Sequence, residues 1–324
     1  MKGFFKYLKF GVAIILGSLF FISGGNTIYA QSYELADGIV FFQSGEFGKA
    51  TVSLKQAIDK NPALIEAYYY LASSQLGLKN YDEVVTTADS GLKISHDHIQ
   101  LLLVKAEALY HLDYPKAIPV YKQISELTAS TKDKSNRVIN SEQANSYLGY
   151  LYQRKANDDF LTGDTDSAIL NYKKARNFNP DSITVYNNLA YTLIQVQKWD
   201  EAVEVLKQGL GRFPTNEQLL FLEGQAYRGA GEKKEMAQTF KKLYELYPEN
   251  INYGIIYGQS LMATNQAAKA NEFMSQLINS DPQNEQIYEA LKTMSEQRFD
   301  LSTKKNVLKL QRNGFPEKRT VAVE

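Results

Sequence analysis

Apolar positions between residues 186 and 214 recur at helical rather than alternating spacing. Tyr186, Leu189, Ala190 and Leu193 share one stripe, and Ala202, Leu206 and Gly209 share a second before Pro214. Two short amphipathic helices are therefore predicted. The second stripe reads small, large, small, so it cannot complete a core by itself, and the notches at Ala202 and Gly209 must receive a neighbouring helix. Helices of about a dozen residues are marginal alone in water, which makes that neighbour a condition of their existence.

The same pattern returns every 34 residues. Pro180, Pro214, Pro248 and Pro282 keep that spacing, and Pro62 joins the phase once an insertion is allowed. A column of small residues runs Gly38, Ala72, Ala106, Ala156, Ala190, Gly224 and Gly258. A second column runs Ala50, Val84, Ala117, Ala168, Ala202, Met236 and Ala270, with a partner four residues on at Leu54, Ala88, Tyr121, Tyr172, Leu206, Phe240 and Met274. This pattern resembles the tetratricopeptide repeat, a helix-turn-helix unit of that length. The resemblance implies an all-α fold, a right-handed α-solenoid of about seven units over residues 31 to about 298 with a C-terminal capping helix. Small residues belong where two backbones approach closely, and a larger one there costs about 1–3 kcal/mol. Leu206 and its equivalents are expected between units, each contributing roughly 1.5–3 kcal/mol when fully buried.

Departures from the repeat mark particular copies. Gln75 and Asp159 stand where other copies have Phe41, Leu109, Leu193, Tyr227 and Leu261, so the second and fourth copies are expected to pack less regularly. The third copy is one residue short in its turn and places Pro115 there. An insertion near 125–142, polar and rich in Ser, Thr and Lys, reads as a loop, followed by a long first helix from about Ser141 to Leu161. At the end, Tyr288 and Leu291 keep the first-helix phase, while Lys292 replaces the small residue, as suits a polar-faced closing helix.

The two ends differ from the body. Residues 1–30 run from basic "MKGFFKYLK" through apolar "FGVAIILGSLFFIS" to "GGNTIYA", the layout of a secretory signal cleaved after Ala30. Ile28 is an unusual residue two places before such a cut, so a retained membrane anchor is the alternative. Export to the bacterial periplasm or cell envelope is the expected localisation. Of 36 basic and 36 acidic residues, Lys2, Lys6 and Lys9 precede residue 31, and six basic residues follow residue 300 against Glu317 and Glu324. The body is left at 27 to 34, mildly acidic, ahead of a basic tail at 299–324. Nucleic acid is not an expected partner of such a chain. Membrane contact is expected only through an uncleaved N-terminal segment, or weakly through that tail.

Candidate chemistry is sparse. With no cysteine, thiolate metal sites and cysteine nucleophiles are excluded. His96, His98 and His111 lie in turn regions and fall short of the three or four converging ligands a metal needs. "LTGDTDSA" lacks the spacing and closing Glu of a calcium loop. Asp158 with Asp159, and Asp200 with Glu201, fit exposed helix faces or helix starts, where the dipole favours carboxylates. No phosphate loop, nucleophile elbow or dinucleotide fingerprint occurs. The sequence therefore predicts no enzyme, cofactor or metal.

What remains is binding. The resemblance implies that partners lie along the concave face, lined by each unit's first helix. In the last four copies the residue after the small first-helix position is then Asn157, Tyr191, Gln225 and Gln259, and four earlier stand Gln153, Asn187, Phe221 and Ile255. Amides donate and accept, so this row suits the backbone of an extended peptide, with Tyr191, Phe221 and Arg228 for the larger contacts. Tyr69 and Tyr70 add to it in the second copy. Some family members grip a C-terminal carboxylate with basic residues of three copies, but Leu35, Ile39, Tyr70, Gln100 and Val104 supply none here. The expected function is a non-catalytic adaptor or scaffold for a protein or extended peptide. The alternative is a structural subunit of an envelope assembly that works through its convex face or basic tail.

Overall fold

A computed structural model describes residues 33–130 and 139–298. The signal segment, the centre of the insertion and the basic tail lie outside the described residues. Within them the chain is all helical. The helices are α1 (Tyr33–Gln43), α2 (Phe47–Lys60), α3 (Ile65–Gly77), α4 (Tyr81–Leu92), α5 (Ile99–Ser130), α6 (Ser141–Leu161), α7 (Thr165–Phe178), α8 (Ile183–Gln195), α9 (Trp199–Arg212), α10 (Glu217–Ala230), α11 (Lys233–Leu246), α12 (Ile251–Ala263), α13 (Ala267–Ser280) and α14 (Glu285–Arg298). None of them is long and apolar enough to cross a membrane. They form a succession of helical hairpins, an α-solenoid of repeats closed by α14.

One backbone device makes most of the hairpins. Gly45, Lys79, Gly163, Gln197, Gly231 and Asn265 all have φ between 59° and 84°, the left-handed region. At each, the following amide reaches back five residues, as Asn80 N to Gln75 O at 2.9 Å and Lys198 N to Leu193 O at 2.9 Å. That is the hydrogen bond that closes a Schellman motif, so the last carbonyls of each first helix are satisfied and the chain reverses. The third hairpin differs. Inside α5, Asp113 takes φ −157° and ψ 85°, and this one extended residue is the whole turn. Pro115 follows in the first turn of the next helix, where a missing N–H costs nothing. Some helix starts are capped by side chains. Asn140 and Gln143 exchange backbone bonds at 2.8 and 3.0 Å ahead of α6, the reciprocal arrangement of a capping box. Asn216 Oδ1 accepts from Leu219 N at 3.0 Å at the start of α10.

The small column sits where the repeat requires it. A Cβ on Gly38 would lie 2.5 Å from Leu54, on Gly224 2.6 Å from Phe240, and on Gly258 2.5 Å from Met274. In these three copies the large partner packs back onto the first helix of its own hairpin, while in the third copy Tyr121 reaches the next copy as expected, stacking on Tyr147 of α6 at 5.1 Å. Other contacts between copies come from small residues and helix ends. Gly209 faces Tyr186 of its own copy and Leu219 of the next, with a Cβ there at 3.1–3.2 Å from both. Trp199 rests on Gly229, Phe47 on Gly77, and Tyr81 stacks on His111 at 4.6 Å. Each pair joins the first residue of a second helix, 30 residues on, to the end of the next first helix.

The chain divides into two compact units, one of residues 1–155 with 177–179 and one of 156–176 with 180–324. In the first, Ala50, Leu54 and Ala67 centre one core cluster, Ala72, Val84 and Leu101 a second, and Ile124, Ala144 and Leu148 a third. In the second, the largest cluster runs from Ala156 through Leu189, Leu206 and Leu220 to Tyr253, and another gathers Met274, Ile287 and Leu291. Gln75 and Asp159 are taken into this packing by hydrogen bonds across their own hairpins. Gln75, 2% exposed, donates to Glu83 Oε2 at 3.0 Å, and Asn171 donates to Asp159 Oδ2 at 2.7 Å. Both helices of each hairpin remain complete.

Candidate functional site

In α8 the positions Val185, Tyr186, Leu189, Ala190, Thr192 and Leu193 are buried. Helical periodicity then leaves Thr184, Asn187 and Tyr191 as one accessible strip. The equivalent strip on α10 carries Gln218, Phe221, Gln225 and Arg228, and on α12 Asn252 and Gln259. α8 packs against α10, and α10 meets α12 where Phe221 approaches Tyr253 at 6.0 Å between ring centres. Asn187, Tyr191, Phe221, Gln225, Arg228 and Gln259 thus line neighbouring first helices of the second unit.

Their roles are less uniform than their phase. Tyr191 is 45% exposed and its ring stands edge-on to Phe160 at 6.0 Å, which makes it a fixed aromatic surface open to solvent. Phe221 is half-buried against Phe240 and Tyr253, so it serves as wall more than as anchor. Ile255, expected in the row, is 8% exposed and belongs to the core. Arg228 and Gln259 are exposed. Asn157 is engaged: its Oδ1 accepts from Tyr172 Oη at 2.6 Å and from Asn188 Nδ2 at 3.2 Å. That oxygen ties α6, α7 and α8 together and is not offered to a ligand. Asn187 keeps its Oδ1 buried without a hydrogen-bond partner among the described residues. Gln153 is half-buried and belongs to the first unit, so it is not part of this strip. Phe160, which backs Tyr191, and Asn188, which holds Asn157, were missed in the sequence, although both lie at fixed offsets from the small column.

Two carboxylates lie on α10. Glu217 accepts from Tyr253 Oη at 2.8 Å. Burial, and then the Glu217 carboxylate beside it, push the Tyr253 hydroxyl up to about 12, so it stays a donor at physiological pH. Burial raises the Glu223 carboxyl above its ordinary value, partly offset by Thr239 Oγ1, which donates to it at 3.2 Å. The histidines have structural duties. His98 Nδ1 accepts from Leu101 N at 3.2 Å at the start of α5, and burial lowers that imidazole. His111 lies 3.3 Å from Glu107. Among the described residues no group of three His, Cys, Asp or Glu is placed to hold a metal ion.

Comparison with known proteins fits this geometry. Residues 160–225 and 218–250 match family models of the tetratricopeptide repeat, which supports that family for the stretch containing α8 and α10. Mouse sperm-associated antigen 1 is 27% identical over 110 residues, covering 34% of this chain and 12% of that protein. The chain thus matches about an eighth of the length of that curated relative. Among solved structures, that of Naa15/Naa10 bound to HypK-THB superposes over 88% of this chain and 42% of that one, with a TM-score of 0.54 at 13% identity, a likeness of fold. A tetratricopeptide repeat protein from Parabacteroides merdae ATCC 43184 covers 87% of this chain and 98% of its own, with a TM-score of 0.36 at 17% identity.

Proposed function

We propose that this chain is a non-catalytic adaptor of the bacterial cell envelope that receives an extended segment of another protein along the strip of α8, α10 and α12. Tetratricopeptide repeat proteins generally mediate protein–protein interactions. The observation that carries the reading here is the row of accessible amides around the exposed Tyr191 ring, on helices whose opposite faces are committed to the core. Such a face offers hydrogen bonds in both senses and one rigid aromatic contact, which is what a strand of backbone needs. Replacing Asn187, Tyr191 and Gln225 together by Ala should reduce recovery of the native partner in pull-downs by tenfold or more with the melting temperature unchanged. Undiminished recovery would sink the proposal.

The envelope location rests on the basic, apolar and small-residue zones of residues 1–30. Protein isolated from its host should begin at Gln31 by N-terminal sequencing. A chain that still begins at Met1 would instead be a retained anchor.

A further inference from the structure

Charge is sorted between the two helices of the hairpins that begin with α8 and α12. α8 (ITVYNNLAYTLIQ) and α12 (INYGIIYGQSLMA) contain no charged residue, in a chain that is 22% charged. α10 contains three, Glu217, Glu223 and Arg228. Two of these are partly covered and already engaged, Glu217 by Tyr253 Oη and Glu223 by Thr239 Oγ1. The second helices carry the charge instead, much of it paired on the surface, as Lys173 with Glu201 at 2.7 Å and Lys241 with Glu245 at 3.4 Å. The accessible strip therefore presents amides, hydroxyls, one phenol ring and a single cation, Arg228.

We infer that the segment this strip receives is an extended polypeptide uncharged where it meets the chain, held by backbone hydrogen bonds and apolar contact in place of ion pairs. This rests on the groove reading above. A charged side chain laid on the strip would lose hydration with no counter-charge to replace it, except opposite Arg228. A backbone loses nothing, because Asn and Gln side chains satisfy both its N–H and its C=O groups. Packed helices lie about 8–10 Å apart, and an extended chain advances about 3.3 Å per residue. Successive first helices therefore meet about every third residue, and three of them take a segment of roughly nine.

The experiment pans the full chain against a displayed library of random peptides of about a dozen residues, then measures Kd for the winners by calorimetry. The inference expects peptides poor in Asp, Glu, Lys and Arg. Their Kd should change by less than about threefold between about 50 mM and about 500 mM salt, since screening acts only on charge. Gln225→Lys should weaken these peptides and admit acidic ones, with an unchanged circular dichroism melt. Winners that are rich in charge and weaken tenfold or more with salt, yet lose binding to the Asn187→Ala/Tyr191→Ala/Gln225→Ala variant, would overturn this inference and leave the groove reading standing. No winners, or winners that bind that triple variant as well as wild type, would overturn both.

Discussion

At the scale of single residues, the turns decide the hairpins. Three of the six left-handed positions are glycine, and three are Lys79, Gln197 and Asn265. A side chain in that region costs about 1–2 kcal/mol through the clash of its Cβ with the neighbouring carbonyl. Gln197, with φ 59°, is exposed, so its side chain has no packing to lose. Gln197→Gly should therefore stabilise the chain by about 0.5–1 kcal/mol, less than the full cost because glycine also loosens the unfolded state. Chemical denaturation would measure it, and an unchanged or lower midpoint would contradict the account. The sequence conceals this device because lysine and glutamine do not announce a positive φ, whereas Gly45, Gly163 and Gly231 do. The same difficulty hides Asn157. Its phase marks it for the groove, but its oxygen is claimed by Tyr172 and Asn188, partners set by three-dimensional proximity alone.

At the scale of helices, much more was legible. The column of small residues specifies the close approach within each hairpin, and α6 begins and ends where the apolar phase puts it. The column of large partners, expected between units, serves both places: Leu54, Phe240 and Met274 pack within their own hairpins, and Tyr121 stacks on Tyr147 of the next copy. One bridge between the fifth and sixth copies, Trp199 on Gly229, lies 30 residues apart rather than 34, so a search at the repeat period steps past it. This bridge reverses an ordinary expectation. Gly229 is exposed and lies within a helix, where alanine is normally better by about 0.5–1 kcal/mol. A Cβ there would fall inside the contact distance of the indole ring, so Gly229→Ala should lower stability by about 1–3 kcal/mol. A higher melting temperature for this variant would show that the ring moves aside freely.

At the scale of the whole chain, the helices that touch are neighbours or next neighbours in sequence. Stability in such an array is a sum of local terms, and a change in one hairpin is felt most by those beside it. The exposed ion pairs add little to that sum, each worth about 0–1 kcal/mol. In the second unit, the charge carried by α9 and α11 keeps those surfaces solvated, while α8 and α12 contain no charged residue. Fold class was legible in the sequence because the 34-residue pattern resembles a known repeat, and that resemblance implies an all-α solenoid. A partner was not readable, because binding depends on which polar atoms the packing has already used.

The chain holds a single tryptophan, and it sits half-buried on Gly229, next to Arg228 at the edge of the strip. A lone indole, excitable apart from the tyrosines at the red edge of absorption, thus sits at one joint of the array. Its emission colour and quenching by small solutes report the parting of the fifth and sixth hairpins, and the arrival of anything that lies across α10, with no label attached.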